Sequence, residues 1–325
     1  MKVLVVGGAG YIGSHMVKHL LGAGHEVVVA DNFSSGHRAA LLGCPLAELD
    51  IADATALDAL FANQRFDVVF HFASFIQVGE SVIEPGKYYA NNLAATLTLL
   101  QAMVRAQIKH FIFSSTAAVY GDPAYAPIDE EHPKAAINPY GRSKWMVEQM
   151  LEDFDHAYGL KSVRLRYFNA AGADPDGQLG ERHEPETHLI PLILQAAAGR
   201  RPTITVFGRD YDTPDGTCIR DYIHVADLAQ AHALALDYLI EGGPSTAFNL
   251  GNGQGFSVQE VIDAARRVTD RAIAISEAPR RAGDPPRLVA DASRARAMLG
   301  WQPRFAALEQ IIAHAWAWEQ KYPWH

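Results

Sequence analysis

A tyrosine and a lysine, Tyr140 and Lys144, stand four residues apart in the segment NPYGRSKWMVE at positions 138–148. Asn138 is a favourable N-cap residue and Pro139 suits the first helical position, so the segment predicts the start of a helix. Residues four apart lie on the same helix face, which places the phenol beside the ammonium group. Such a pair can move a proton, but the same spacing is also common on ordinary surface helices.

A glycine-rich turn lies near the N-terminus. The stretch VLVVGGAGYIGSH carries Gly7, Gly10 and Gly13 between a short β-branched strand and a helix, the context in which such glycines bind a dinucleotide. The glycines allow a tight turn and let a pyrophosphate approach the helix N-terminus closely. Asp31 ends the next predicted strand, eighteen residues after Gly13, where a carboxylate binds ribose hydroxyls and repels a 2′-phosphate. The pattern therefore favours NAD over NADP.

With a nicotinamide site nearby, Tyr140 and Lys144 fit oxidation and reduction of an alcohol. Removal of a hydride from a carbinol carbon requires removal of the hydroxyl proton, and a phenol with a pKa of about 10 is a poor base at neutral pH. A neighbouring ammonium group and a cationic nicotinamide both favour the phenolate, so we expect a lowered pKa for Tyr140. Lys144 would supply this charge and hold the cofactor ribose, and Thr116, at the end of a predicted strand, would relay or orient the proton.

Strands and helices alternate through the first half of the chain. Predicted strands occupy 2–6, 25–32, 66–74, 109–121 and 162–172, and helical patterns follow the glycine turn, cover 91–107 and begin at Tyr140. This alternation predicts an α/β fold with a Rossmann-type doubly wound parallel sheet. We expect residues 1–173 to form the NAD-binding domain. Residues 174–325, which open with a long polar loop, are expected to form mainly a smaller α/β substrate-binding region, with part of 222–245 returning to the first domain.

Composition excludes several functional classes. The net charge of −9 over 325 residues argues against a nucleic-acid-binding protein. The two cysteines, Cys44 and Cys218, have neither a metal-binding spacing nor the number needed for a disulfide framework. No apolar stretch reaches the length of a membrane span, and the N-terminal apolar run is too short for a signal peptide. A cytoplasmic protein without a membrane partner is expected.

Beyond these local patterns, the sequence resembles the extended short-chain dehydrogenases/reductases, and within them most closely the UDP-galactose (UDP-glucose) 4-epimerase family. The resemblance covers nearly the whole chain and is carried by GGAGYIGSH, DNFSSG, HFAS with VGES, YYANN, SSTAAVYG, NPYGRSK, LRYFNAAGA, GTCIRDYIHVADLA, FNLGNGQGFSV and PRRAGDPP. It implies interconversion of UDP-galactose and UDP-glucose by transient oxidation at C4, with a 4-keto intermediate and return of the hydride to the opposite face. It also implies a tightly held NAD and a homodimer in which 91–107 pairs with the helix that begins at Tyr140.

The resemblance assigns roles residue by residue. Tyr140 is the base, Lys144 its partner and Thr116 the assisting hydroxyl. The cofactor site comprises Gly7, Gly10, Tyr11, Ile12, Gly13, Asp31, Asn32, Ser35, Gly36, Asp50, Ile51, Phe72, Ala73, Asn91, Ser114, Tyr140, Lys144 and Tyr167. The substrate site comprises Thr116, Tyr140, Asn169, His188, Leu189, Arg220, Arg281 and Asp284. Arg220 and Arg281 clamp the diphosphate, as bidentate arginines in an otherwise acidic protein would, and Asp284 holds the uridine ribose.

Three positions depart from the family pattern. Ile76 stands where many members have a lysine near the cofactor, and His188 stands where many have an asparagine. Leu288 stands where some have a tyrosine that narrows the sugar pocket, so a UDP-N-acetylhexosamine is an alternative substrate. Epimerisation of a UDP-pentose or UDP-uronate and decarboxylation of UDP-glucuronate also stay open. A nucleotide-sugar 4,6-dehydratase is disfavoured because Ala117-Ala118 replaces the acidic pair that elimination needs.

Two further alternatives have less support. An NAD-binding sensor without chemistry would have no use for both Tyr140 and Lys144. His15 and His19 lie four apart on the first helix, but no third ligand stands near them, so we expect a solvated helix face. No metal site is predicted anywhere in the chain.

Overall fold

A parallel sheet runs through the first half of the chain in the structure, a computed structural model that describes residues 1–281 and 284–321. The strands of this half are β1 (Lys2–Val6), β2 (Glu26–Asp31), β3 (Leu46–Glu48), β4 (Val68–His71), β5 (His110–Thr116), β6 (Lys161–Tyr167) and β7 (Asn169–Ala171). Its helices are α1 (Tyr11–Gly22), α2 (Ala54–Asn63), α3 (Val78–Ile83), α4 (Pro85–Tyr88), α5 (Thr96–Arg105) and α6 (Pro139–Tyr158).

Shorter strands and several helices make up the second half. Its helices are α7 (Leu189–Ala197), α8 (Val225–Ile240), α9 (Val258–Thr269), α10 (Ser293–Leu299) and α11 (Leu308–Lys321). Its strands are β8 (Ile204–Phe207), β9 (Ile219–His224), β10 (Thr246–Leu250), β11 (Gly255–Ser257), β12 (Ile275–Ala278) and β13 (Arg287–Leu288). None of the helices in the described parts of the chain is both long and apolar enough to cross a membrane.

The main sheet has seven strands in the order β10-β6-β5-β4-β1-β2-β3, and all its pairings are parallel. The strand order reverses between β1 and β4, and in such sheets ligands bind outside the carboxyl ends of the strands at this switch point. The predicted Rossmann-type α/β fold is therefore confirmed. The edge strand β10 comes from the second half, and α8 packs on the same sheet next to α1.

Apolar side chains fill both sides of this sheet. On one side, Val5 and Phe70 pack with Leu228 of α8, and on the other, Leu4 and Phe113 pack with helices α2, α5 and α6. The alternation of side chains along each strand supplies both layers, which is why these strands consist of near-continuous apolar runs. A second core surrounds α7, α9 and α11 and packs against the smaller sheets.

Three predicted elements differ in the structure. The strand predicted over 162–172 breaks at Phe168, and β7 leaves the main sheet to pair with β9. The strand predicted over 109–121 ends at Thr116, whose hydroxyl accepts a hydrogen bond from the Ala118 N–H and caps a 3₁₀ turn over Ala117–Val119. The helix predicted over 91–107 is π-helical over Tyr89–Ala95 before α5 begins. Such π segments are frequent at functional sites.

The predicted solvated face of α1 is wrong for one histidine. His15 is buried, and its Nδ1 lies 2.7 Å from the Tyr11 carbonyl oxygen. Burial inside the protein lowers the pKa of His15 to about 4. His19, one turn later, is half-buried.

Candidate active site

The glycine turn after β1 brings helix α1 very close to the sheet. Gly7 has a φ of +78°, a conformation that favours glycine. A Cβ on Gly13 would lie 2.1 Å from the Gly7 carbonyl oxygen, so only glycine allows the helix to approach this turn. A Cβ on Gly10 would meet only the Gly7 oxygen, at 3.4 Å, and no side chain caps the helix at Gly10. The first N–H groups of α1 are therefore free of a capping side chain, as an anion site at a helix N-terminus requires.

The carboxylate at the end of β2 is tied to the glycine turn. Asp31 is buried; its Oδ2 accepts a hydrogen bond from the Ala9 N–H at 2.9 Å and its Oδ1 one from the Phe33 N–H at 2.8 Å. Each carboxylate oxygen can accept a second bond, so both remain able to bind ribose hydroxyls. The adjoining Asn32 amide donates to Asp50 at 3.0 Å, which links the ends of two neighbouring strands.

A cleft opens between the carboxyl ends of β1, β2 and β4. Eleven of the residues predicted for the cofactor line it, namely Gly7, Gly10, Asp31, Asn32, Ser35, Gly36, Asp50, Ile51, Phe72, Ala73 and Asn91, together with Val6, Ala30, Ser34, Leu49, Ser74 and Phe75. This set combines a helix N-terminus for a pyrophosphate, carboxylates for sugar hydroxyls and apolar side chains for a base. The residues present therefore fit a dinucleotide such as NAD.

The other predicted cofactor residues lie around this cleft. The Tyr11 hydroxyl donates to the Gly172 carbonyl oxygen at 2.7 Å, and Ile12 packs on the core beneath α1. Ser114 and Tyr167, on adjacent strands, are buried with their hydroxyls in contact. These four residues do not themselves line the cleft.

Helix α6 begins as its sequence predicts and carries both predicted catalytic side chains to the cleft. Asn138 is the N-cap, and its Oδ1 accepts the Gly141 N–H at 2.8 Å, with Pro139 at the first helical position. Lys144 is only 1% exposed, and its Nζ donates to Ser74 Oγ at 2.8 Å and to the Ser114 carbonyl oxygen at 2.7 Å. The lysine thereby joins the ends of β4 and β5. Burial lowers its pKa to about 7.

The side chains of Tyr140 and Thr116 are hydrogen-bonded neighbours. Burial raises the pKa of the Tyr140 phenol, and the adjacent Thr116 side chain acts in the opposite direction. The expected lowering of the Tyr140 pKa is therefore not present in the ligand-free chain, because desolvation disfavours the phenolate more than its neighbour stabilises it. A positive charge brought close to the phenol would reverse this balance.

A buried ion pair behind Lys144 was missed by sequence reasoning. Glu148 follows Lys144 by one helical turn, and its carboxylate accepts bonds from Arg166 Nε at 3.0 Å and Nη2 at 2.6 Å. Ser115 also donates to it. Arg166 continues the network to the hydroxyl of Tyr120 at 3.0 Å. The four-residue spacing of Glu148 from Lys144 could have indicated that the two residues act together. The pairing of Glu148 with Arg166 on β6 depends on the fold and could not be seen in the local sequence.

Ser74 and Asn92 were also missed. They are the last residues of the motifs HFAS and YYANN, so the signal lay within the motifs that indicate the family. Asn92, on the π-helical turn, accepts the Phe75 N–H and donates to the Phe75 carbonyl oxygen, both at 2.9 Å. It thereby fixes the segment that carries Ser74 to Lys144.

Several predicted substrate residues meet on the small sheet of the second half. Strand β9 pairs with β7, with Asn169 opposite Tyr222, and with β13, with Leu288 opposite Arg220. Arg220 Nη2 donates to Asp284 Oδ1 at 2.8 Å, and Asn169 donates to the Asp221 carbonyl oxygen at 2.9 Å. The Arg281 guanidinium stacks 3.9 Å from the centre of the Phe207 ring.

The remaining two predicted substrate residues begin helix α7. His188 is its N-cap residue and Leu189 its first helical residue. The His188 Nδ1 lies 3.0 Å from Glu186 Oε1 and 2.8 Å from Glu181 Oε1. The Nδ1 of His188 is therefore paired with two carboxylates. An asparagine, which many family members have at this position, has no ring nitrogen to form these pairs. Sequence reasoning missed both glutamates by treating their segment as a polar loop.

Comparison with known proteins identifies the family. Residues 3–251 match the NAD dependent epimerase/dehydratase family. The chain is 51% identical to the UDP-glucose 4-epimerase of Halalkalibacterium halodurans, over 99% of this chain and 97% of that protein. The crystal structure of UDP-glucose 4-epimerase from Brucella ovis in complex with NAD is 50% identical, with a TM-score of 0.95 over 97% of each chain.

A more distant structure extends this comparison. The Bifidobacterium longum UDP-glucose 4-epimerase, in complex with NAD+ and UDP, is 40% identical, with a TM-score of 0.94 over 99% of this chain and 98% of that one. The resemblance read from the motifs is thus confirmed over almost the whole length of the chain. The chain belongs to the NAD dependent epimerase/dehydratase family and groups within it with the UDP-glucose 4-epimerases.

Proposed function

We propose that this protein interconverts UDP-galactose and UDP-glucose by oxidising and re-reducing C4 of the sugar with a bound NAD. The observation that carries the proposal is the meeting of Thr116, Tyr140 and Lys144 at the carboxyl end of β5, beside a cleft that fits a dinucleotide. A binding protein without chemistry would not need a buried lysine and a phenol at this place. The identity to known 4-epimerases, near 51% over almost the whole chain, supports the choice of reaction.

The chain's own residues would hold NAD in an extended form. The N–H groups that follow Gly10 bind the pyrophosphate, and Asp31 accepts bonds from the adenosine ribose. Asp50 and Ile51 border the adenine, and Lys144 binds the second ribose. When bound, NAD accepts a hydride from the sugar carbon and supplies it again, so it is regenerated in each turnover.

Tyr140 removes the proton from the C4 hydroxyl and later returns it. The positive charge of Lys144 and of the oxidised nicotinamide ring would offset the burial that raises its pKa in the free chain. Thr116 holds the substrate hydroxyl in line with the phenol. Glu148, one turn below, acts through Lys144 because its carboxylate favours the charged form of that lysine.

The diphosphate and uridine anchor the substrate while the sugar turns. Arg220 and Arg281 bind the diphosphate, Asp284 binds the uridine ribose, and Asn169, His188 and Leu189 border the sugar nucleotide. Arg220 already makes an ion pair with Asp284, so the two are held in one place before substrate arrives. Affinity located in the UDP portion leaves the 4-keto sugar free to present its other face, which inverts the configuration.

Leu288 favours a second substrate class, the UDP-N-acetylhexosamines. Its side chain is partly buried against the cluster of Val119 and Tyr120, three and four residues after Thr116. A leucine at this border leaves more space than the tyrosine of some relatives. UDP-pentoses and UDP-uronates are further alternative substrates, and the shape of the same pocket would determine whether they are accepted.

The organisation of the molecule is also a proposal. Residues 1–173, joined by α8 and β10, would bind NAD, and most of 174–325 would bind the UDP-sugar. A homodimer would form by pairing of residues 91–107 and α6 across the two chains. The side chain of Met146, on α6, is exposed in the single chain. The two cysteines are free and buried, as a cytoplasmic enzyme would have them. Light scattering that gives one chain mass in solution would overturn the dimer.

The reaction is tested by adding UDP-galactose to the purified protein without NAD and following UDP-glucose by NMR. We expect conversion without added cofactor, because NAD is retained. The Tyr140→Phe variant keeps the ring but loses the proton-transfer group, so we expect a loss of about 10²-fold or more in kcat. Absence of conversion by the wild-type chain, even after NAD is supplied, would contradict the galactose assignment.

A further inference from the structure

Four side chains capable of binding a metal converge in the connection between β7 and α7. The sequence GERHEPETH places two glutamates and two histidines at Glu181, His183, Glu186 and His188. In the structure, one ligand atom from each of the four lies within 4.8 Å of every other. This cluster, called here the 181–188 cluster, lies outside the set of residues that the proposed reaction uses, apart from the border position of His188.

The distances within the 181–188 cluster match those between ligands of one ion. The Nδ1 of His188 lies 2.8 Å from Glu181 Oε1 and 3.0 Å from Glu186 Oε1. The Nδ1 of His183 lies 3.1 Å from Glu181 Oε1 and 3.6 Å from Glu186 Oε2. Zinc bonds of about 2.0–2.1 Å in a tetrahedron imply ligands about 3.3 Å apart. The four nitrogen–oxygen distances, 2.8–3.6 Å, fall on both sides of this value, so the side chains are spaced about as the ligands of one ion would be.

Burial and orientation supply an independent observation. The side chains of Glu181 and Glu186 are only 6% and 5% exposed. Glu181 Oε1 and His183 Nδ1 are buried, and neither has a hydrogen-bond partner of acceptable geometry in the described parts of the chain. They lie 3.1 Å apart, as an ion pair. Buried polar atoms normally find a partner, so these two are directed at a position that another atom would fill.

We propose that Glu181, His183, Glu186 and His188 bind one divalent transition-metal ion of the zinc type. Imidazole and carboxylate ligands suit zinc, and four protein ligands close its coordination sphere, which makes the site structural. This differs from the expectation of no metal site that the sequence alone suggested. The ion would balance two carboxylates whose burial is otherwise expensive.

The position of the cluster indicates what the ion would hold in place. The His183 ring lies 6.3 Å, centre to centre, from the Tyr11 ring on α1, and the Arg182 carbonyl oxygen lies 3.2 Å from Nε2 of His37 in the loop after β2. At the other end, His188 is the N-cap residue of α7. A metal here would hold the segment between β7 and α7 against α1 and the loop after β2. The same segment leads into α7, the helix that borders the proposed sugar-nucleotide site.

The test uses the full-length protein with Zn²⁺ and Co²⁺ as probes. Protein treated with a chelator and freed of it is titrated with Co²⁺, and zinc content is measured by mass spectrometry after incubation with Zn²⁺ and gel filtration. We expect one metal ion per chain, and intense visible absorption from tetrahedral Co²⁺. Zinc should also raise the melting temperature of the chelator-treated protein.

Variants locate the site. His183→Asn and Glu186→Gln should each weaken metal binding by at least about tenfold, the loss that even outer-sphere changes can produce. His156→Asn, which removes an exposed histidine of α6, is the matched control and should bind normally. Circular dichroism establishes that each variant folds. Wild-type protein that binds no Zn²⁺ or Co²⁺, or a folded His183→Asn variant that binds as the control does, would overturn the proposal and leave the cluster as ion pairs of protonated histidines.

Discussion

The burial of Lys144 predicts an unusual pH dependence of stability in the cofactor-free chain. Its pKa is lowered to about 7 in the folded protein, first by desolvation, from an ordinary value of 10.5. Between these two values the unfolded chain binds a proton that the folded chain does not. The free energy of unfolding therefore rises with pH in this window, because deprotonation relieves the cost of a buried charge. Between pH 7 and pH 9 this one group contributes about 2 kcal/mol.

Urea unfolding of protein from which NAD has been removed, at pH 7 and at pH 9, measures this contribution. Other groups titrate in the same range, so the wild type is compared with Lys144→Met, in which they are unchanged. We expect the wild type to gain about 2 kcal/mol more than the variant between the two pH values. Lys109→Met, which removes an exposed lysine, is the matched control and should retain the wild-type pH dependence. The same pH dependence in Lys144→Met as in the wild type would refute this account of Lys144.

Three further experiments, with five substitutions between them, test other parts of the site. Glu148→Gln breaks the buried pair with Arg166 and should lower the free energy of unfolding by about 3–5 kcal/mol. Glu152→Gln, at the exposed end of an ion pair, should lower it by less than about 1 kcal/mol. Equal losses measured by urea unfolding would contradict the claim that the pair with Arg166 anchors α6. Gly13→Ala should prevent stable folding because its Cβ would lie 2.1 Å from a backbone oxygen, whereas Gly10→Ala should fold but retain less NAD. Normal NAD content in both purified variants would contradict the proposed role of the glycine turn in NAD binding. Leu288→Tyr should lower kcat/KM for UDP-N-acetylgalactosamine more than kcat/KM for UDP-galactose, measured in parallel assays. An equal decrease for both substrates would show that Leu288 does not set the width of the sugar pocket.

Much of the fold could be predicted from local signals. The strand at 2–6, the glycine turn and the N-cap at Asn138 each depend on residues close in sequence, and the structure contains all three. The parallel sheet follows from the alternation of strands and helices. The cleft also gathers most of the residues predicted for the cofactor, because carboxyl ends of parallel strands meet at one edge.

What could not be predicted depends on partners distant in sequence. The break at Phe168 occurs because β7 pairs with β9, about fifty residues later, and no local pattern around 162–172 contains that information. His15 is buried and lies close enough to Asp174 and Glu181, more than 150 residues later, for both to affect its pKa. The sequence around the 181–188 cluster predicts only a polar loop, since a turn that brings four side chains together leaves no periodic signal. In each case tertiary packing overrode the local pattern.

The central claim is that the hydrogen removed from C4 is the hydrogen returned there. It is tested with UDP-galactose that carries deuterium at C4, incubated with the protein in ordinary water, with the product followed by NMR and mass spectrometry. We predict UDP-glucose that retains deuterium at C4, because the hydride is held on the bound cofactor while the sugar turns. UDP-glucose with hydrogen from water at C4 would contradict the account.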